Sequence, residues 1–188
     1  RAYDEARQCV LQIIERKGKE YWAWSALGDT YVAEDEKLAE SAYCKALLCR
    51  PPLKFGAPLK LKLVKLLVKE QLFEEASVEV DEILSTPAEV GKKVYEEAEK
   101  LSQSSWYVGG LEKKGNRGLY QNRKHAVLAE LYQSIPWSNG MMLRIFTLNQ
   151  KKFYKFAFAV EVGSVPVEVM VTKVELDSII FEAGKCVR

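Results

Sequence analysis

In the stretch Trp24-Ser25-Ala26-Leu27-Gly28-Asp29-Thr30-Tyr31, the large apolar residues Trp24, Leu27 and Tyr31 recur at intervals of three and four, the spacing of one helix face. Gly28 lies among them, leaving room for a second helix to approach. Downstream, Ala39, Tyr43 and Ala46 continue a helical period, and Pro51-Pro52 end it. A helix pair follows, with Gly28 and Ala39 at the close approach and Trp24, Leu27, Tyr31 and Tyr43 filling the space between turns.

The pattern extends to both sides. Tyr3, Ala6, Val10 and Ile13 fit the second helix of a preceding pair that ends at Gly18, and Leu63, Val64, Leu67, Phe73, Ala76, Val80 and Ile83 fit a following one. Ala6, Ala39 and Ala76 lie 33 and 37 residues apart. These residues resemble the tetratricopeptide repeat family, whose period is about 34, over residues 1–104. The turn inside the central pair is one residue shorter than the family's. A further amphipathic helix is expected from about Pro87 to Gln103.

The resemblance implies a curved stack that holds a peptide or a neighbouring domain on the first helix of each pair. One subset of the family grips a C-terminal carboxylate with Lys and Asn; the matching positions here are Trp22, Ser25, Asp29, Val32 and Ala33, then Leu61, Lys65, Val68 and Lys69. Only Lys65 and Lys69 suit an anion, which argues against that clamp, and both also read as solvated surface lysines. Trp22, Ser25, Asp29, Lys65 and Lys69 are the candidate protein-binding residues.

The 188 residues are 48% hydrophobic and 29% charged, the profile of a chain that folds around a core. Lys or Glu interrupts every apolar run before the roughly 18 residues a membrane span needs, so no membrane partner is expected. No secretory signal is visible, and a start at Arg1 within a repeat pattern reads as an internal fragment. Cys9, Cys44, Cys49 and Cys186 have neither zinc-site spacing nor the density of a disulfide framework, which suggests packing residues in a reducing, cytoplasmic setting.

Residues 1–104 hold 16 basic against 19 acidic residues, and residues 105–188 hold 12 against 7. The surplus suits either a polyanion or a solvated linker. The hydrophobic period changes from helical to alternating across the same region, and Trp106–Gly118 contains four glycines. The expected organisation is helical repeats over 1–104, a basic Gly-containing linker over 105–124, and a small β domain over 125–188, giving the α+β class: an all-α repeat stack followed by a small antiparallel sheet or partial barrel.

Three strands are expected at Met141–Leu148, Phe153–Val162 and Val165–Lys173, with a strand beginning in Ala183–Arg188; His125–Tyr132 reads as a short helix or a strand. Tyr154, Phe156 and Phe158 share one face and Lys155 and Ala157 the other. The succession over about 135–188 resembles an OB or cold-shock small barrel, and a repeat stack followed by such a barrel is similar to bacterial proteins found beside tellurium-resistance or helicase genes. That resemblance implies base stacking on aromatics beside cations, with Arg144, Phe146, Lys151, Lys152, Tyr154 and Lys155 as candidates. Aromatics alternating in a strand also read as core.

A lone histidine, His125, supports no His-based metal cluster, and no nucleophile is placed beside it. The glycines lack the Lys-Ser or Lys-Thr ending of a phosphate loop. Glu34, Asp35 and Glu36 read as a solvated acidic corner. No catalytic residue, metal or cofactor is therefore expected. The sequence points to a non-enzymatic adaptor that binds a protein or peptide; the alternative is a single-stranded RNA- or DNA-binding protein acting through the basic C-terminal domain.

Overall fold

The computed structural model describes residues 2–112, 115–132, 140–158, 167–172 and 186–187. The chain is of the α+β class and divides into two units, Arg1–Gln133 and Ser134–Arg188. The first contains α1 (Ala2–Lys17), α2 (Tyr21–Tyr31), α3 (Glu36–Leu48), α4 (Leu53–Lys69), α5 (Phe73–Leu84), α6 (Pro87–Val90), α7 (Lys92–Ser102), α8 (Arg117–Arg123) and α9 (His125–Tyr132). No helix among the described residues is long and apolar enough to cross a membrane.

Local chemistry sets the helix ends. Asp4 and Glu5 open α1 and Arg16 and Lys17 close it, each complementing the helix dipole. The Trp24 indole N–H donates to the Gly18 carbonyl at 2.8 Å, pinning the turn into α2. Asp35 caps α3 by accepting from the Leu38 N–H at 3.0 Å. Pro52 stands immediately before α4. The helix expected over Pro87–Gln103 is instead two, because Gly91 at φ 81° breaks it between α6 and α7.

Helices α2 and α3 pack as one hairpin and α4 and α5 as the next. Their shared core includes Trp24, Leu27, Tyr43, Leu63, Leu67 and Ile83, all buried. A Cβ on Gly28 would lie closer to Cε1 and Cδ1 of Tyr43 than real carbon contacts allow, so glycine is what lets α3 approach. Tyr21 of α2 stacks on Phe55 of α4 with ring centroids 5.9 Å apart, and Asp29 of α2 accepts from Lys62 of α4 at 2.7 Å. These two contacts span 34 and 33 residues of sequence. Glu36 of α3 pairs with Lys69 at the end of α4.

The stretch expected to be a linker is part of the helical unit, and the unit ends at Gln133 instead of 104. Hydrogen bonds from residues 107–127 explain the difference. Tyr107 donates to Asp81, the Val108 N–H donates to Ser77 Oγ at 2.9 Å, and Asn116 Nδ2 donates to Glu79 at 2.7 Å. Ser41 Oγ donates to the Arg123 carbonyl at 2.6 Å and accepts from the Val127 N–H at 2.9 Å, which docks α8 and α9 on α3. His125–Tyr132 is helix α9, so the β domain does not begin at 125.

The second unit is a sheet of order β3-β2-β1-β4, formed by β1 (Gly140–Leu148), β2 (Lys151–Phe158), β3 (Val167–Thr172) and β4 (Cys186–Val187). Its pairings are antiparallel. The expected strand ends at 159–162, 165–166 and 173, and most of 183–188, lie outside the described residues. Asn149 and Gln150, at φ 49° and 62°, form the tight turn between β1 and β2. A register shift between Met142 and Arg144 alters the alternation of β1, so Met142 pairs with Phe156 on one face and Arg144 with Lys155 on the other. Met142, Tyr154 and Phe156 form the buried cluster of this unit.

Gly28→Leu is expected to destabilise the helical unit by about 1–3 kcal/mol by forcing α2 and α3 apart, measured as a lower urea midpoint; an unchanged midpoint would show that the crossing tolerates the side chain. A fragment ending at residue 104 is expected to be less stable than one ending at 133 by about 3 kcal/mol or more, since it strips buried carboxylates of partners. Equal stability of the two fragments would restore the linker reading of 105–124.

Candidate functional site

One surface of the helical unit is formed by the exposed stripe of α2 and the parallel stripe of α4. Along α2, Trp22 and Asp29 are exposed and Ser25 is half-buried, three and four residues apart. Along α4, Phe55, Lys65 and Lys69 are exposed and Lys62 is partly so. The structure thus places Ser25, Asp29, Lys65 and Lys69 on this surface. Trp22 stands at its edge, with Lys17 Nζ 5.8 Å from its ring centroid.

The lysines there are already paired within the chain. Lys62 donates to both Asp29 oxygens at 2.7 Å, Lys65 lies 3.0 Å from Glu97, and Lys69 pairs with Glu36. The Tyr43 hydroxyl also donates to Asp29 at 2.7 Å, and burial with this hydrogen bond raises the phenol's pKa. Opposite charges alternate across neighbouring helices and leave a nearly balanced surface. An anion clamp needs convergent cations free of carboxylates, and this geometry does not offer them. Tyr21, Phe55 and Lys62 were missed in the sequence; a shift of 33 residues from Trp22 and Asp29 would have found Phe55 and Lys62.

Beneath the surface lies a buried polar cluster. Glu79 of α5 is fully buried and accepts from Lys60 at 2.7 Å, from Asn116 at 2.7 Å and from the Tyr120 hydroxyl. Lys60 also pairs with Glu82. Burial alone would lower the Lys60 pKa, but Glu79 and Glu82 outweigh it and hold the ammonium charged. Burial and the same carboxylates raise the Tyr120 phenol. Lys60, Glu82 and Tyr120 form one wall of a cavity of about 180 Å³, otherwise lined largely by apolar residues including Leu47, Pro51 and Ile83. Each donor of the cluster already has a carboxylate partner, so the cluster reads as structural.

A second cluster joins α3 to α8. Arg123 lies 3.4 Å from Glu40 and 3.0 Å from Glu70. Desolvation pushes the Glu40 carboxyl up to about 7, Arg123 opposes the shift, and Glu70 adds to it. Cys44, one turn further along α3, is buried, and burial raises its thiol.

On the sheet, strand pairing sorts the six nucleic-acid candidates between two faces. Arg144, Phe146, Lys151 and Lys155 share one face with Phe153, since Arg144 pairs with Lys155 and Phe146 with Phe153. The Phe146 and Phe153 rings stack at 5.7 Å, and the Arg144 guanidinium lies 5.2 Å from the Phe146 centroid. Lys155 is paired with Glu168 at 2.5 Å. Tyr154 is on the opposite face and only 8% exposed, in the core cluster with Phe156. That burial does not suit stacking on a base: the period of two that leaves Phe153 half-buried buries Tyr154. Lys152 shares the Tyr154 face, with its ammonium 5.7 Å from that ring.

A family model described as a domain of unknown function, DUF7017, matches residues 1–126. The matched region covers the helices through α8 and enters α9. No curated protein and no solved structure matches.

Stability is expected to depend on pH through Glu40. Its folded value lies above the ordinary 4.5, so between about pH 4.5 and 7 the folded chain binds the extra proton, and stability falls as pH rises through that window. Thermal midpoints compared with Glu40→Gln isolate this contribution. The variant should lack it and gain on the order of 1–3 kcal/mol over the parent at pH 8 relative to pH 4; parallel pH profiles would show that Glu40 does not titrate there.

Proposed function

Since the chain belongs to the DUF7017 family, a domain of unknown function, we propose from the geometry that it is a non-enzymatic adaptor whose helical unit binds a protein or peptide along α2 and α4. The observation that carries this reading is the step of 33 to 34 residues that brings Tyr21 onto Phe55 and Asp29 onto Lys62, along the first helices α2 and α4. It supports a tetratricopeptide-like stack, in which first helices line up to offer a continuous surface. The ion pairs hold the helices in register, while Trp22 and Phe55 stand exposed as apolar contacts. A reducing, cytoplasmic setting goes with this reading, since the spacing of the four cysteines is not that of a disulfide framework.

The adaptor reading is tested by placing a photoreactive residue at Ser25 or Lys65, and at exposed Asn122 on α8 as a control, in the complete chain in cells. Ser25 and Lys65 should give a discrete cross-linked protein and Asn122 should not. Cross-links confined to Asn122 would move the binding surface to α8, and none at any position would remove the reading.

A second reading, single-stranded nucleic-acid binding by the sheet, is favoured by the Phe146–Phe153 stack with Arg144 beside it. Bases stack on such platforms while cations neutralise phosphate. Oligonucleotide affinity should fall steeply with salt, and Arg144→Ala or Lys151→Ala should each lower the salt slope by about one. Lys152→Ala, on the opposite face, should leave the slope unchanged. Absence of binding at low salt would exclude this reading.

A further inference from the structure

We propose that the end of the helical unit where α2 and α4 begin is the docking point for an acidic peptide segment bearing an aromatic or large apolar anchor. This deepens the adaptor reading and rests on it: it names the partner's chemistry and where on the α2–α4 surface the partner is held. Three large apolar side chains stand exposed there, Trp22 at 41%, Leu53 at 49% and Phe55 at 51%. Tyr21 is stacked on Phe55 and joins the first turns of the two helices into one aromatic floor. Such rigid side chains lose little entropy on binding, which is why aromatic residues dominate binding energy at interfaces.

The charges around that floor select the partner. The two turns that meet there, α1–α2 and α3–α4, carry exposed Arg16, Lys17, Lys19, Arg50 and Lys54 against exposed Glu15 and Glu20. At the opposite end, the α2–α3 and α4–α5 turns carry Glu34, Asp35, Glu36, Glu70, Glu74 and Glu75 against Lys37 and three paired cations, Arg7 on Glu34, Lys69 on Glu36 and Arg123 on Glu70, which leaves a smaller acidic excess. The helical unit is therefore polarised along its helix axes. An acidic segment is drawn to the aromatic end and repelled from the other, which fixes both location and direction. Between the ends, Asp29–Lys62 and Lys65–Glu97 neutralise each other, so the middle of the surface adds little selectivity of its own.

The complete chain is panned against a random peptide library displayed on phage, and recovered peptides are measured by fluorescence anisotropy. Peptides rich in Asp and Glu around a Trp, Phe or Leu are expected, with affinity falling as salt rises. Trp22→Ala and Phe55→Ala should each weaken binding roughly tenfold or more with the helical circular dichroism retained. Because the two side chains are exposed, folding should survive; the charge reversals Lys17→Glu and Lys54→Glu give an independent route to the same loss. Peptides with no acidic bias, or indifferent to all four variants, would overturn this inference and leave the adaptor reading in place. Recovery of no peptide would overturn this inference, and the cross-linking at Ser25 and Lys65 decides the adaptor reading separately. Concentration-dependent self-association abolished by the same variants would assign the surface to a second copy of the chain and overturn the acidic-partner assignment.

Discussion

A carboxylate removed from water must be paired, and in this protein that constraint governs how much of the chain belongs to the helical unit. Glu79 lies fully buried on α5, held by Lys60 from α4 and by Asn116 and Tyr120 from beyond residue 104. Losing Lys60 leaves the buried charge without a counter-ion, and losing both Asn116 and Tyr120 leaves one of its oxygens without a donor. Glu40 and Arg123 impose a similar condition between α3 and α8. The α8–α9 segment is thus part of the stack's interior chemistry, and the family match through residue 126 spans the residues that supply it.

With α8 and α9 packed on α3, the surface of α2 and α4 is where aromatic side chains and an extended parallel register coincide. Its ion pairs fasten neighbouring helices and leave few free charges at the centre. Exposed basic residues gather in the turns at the end where α2 and α4 begin. On the proposed adaptor reading, contact area and charge come from different places: the aromatic side chains where α2 and α4 begin supply the area, and the turns supply the field. On the sheet, one face combines a stacked aromatic pair with cations while the other holds the core, so the two functions of a strand surface are separated by the pleat.

The helix pairs were legible in the sequence because their signals are local. Trp24, Leu27, Tyr31 and Tyr43 carry the period, and Gly28 marks the crossing. The alternation of β2 was equally plain. The polar network was not legible, because Glu79 meets partners 19 to 41 residues away and no period connects them. On an amphipathic helix a Glu reads as surface, and the glycines near 109–118 read as a connector even though Asn116, between two of them, is buried. The register shift between Met142 and Arg144 was hidden for another reason. Strict alternation places those two residues on one face, and one bulge separates them.

The position of the α8 residues in the chain also has a consequence for biosynthesis. Translation delivers α3, α4 and α5 before Asn116, Tyr120 and Arg123 exist to meet their carboxylates. Until those residues leave the ribosome, Glu79 has only Lys60, and Glu40 has no arginine beside it. The hairpins must therefore remain loosely closed and hydrated on the nascent chain, and the last seam of the interior is sealed by the segment made last in that unit.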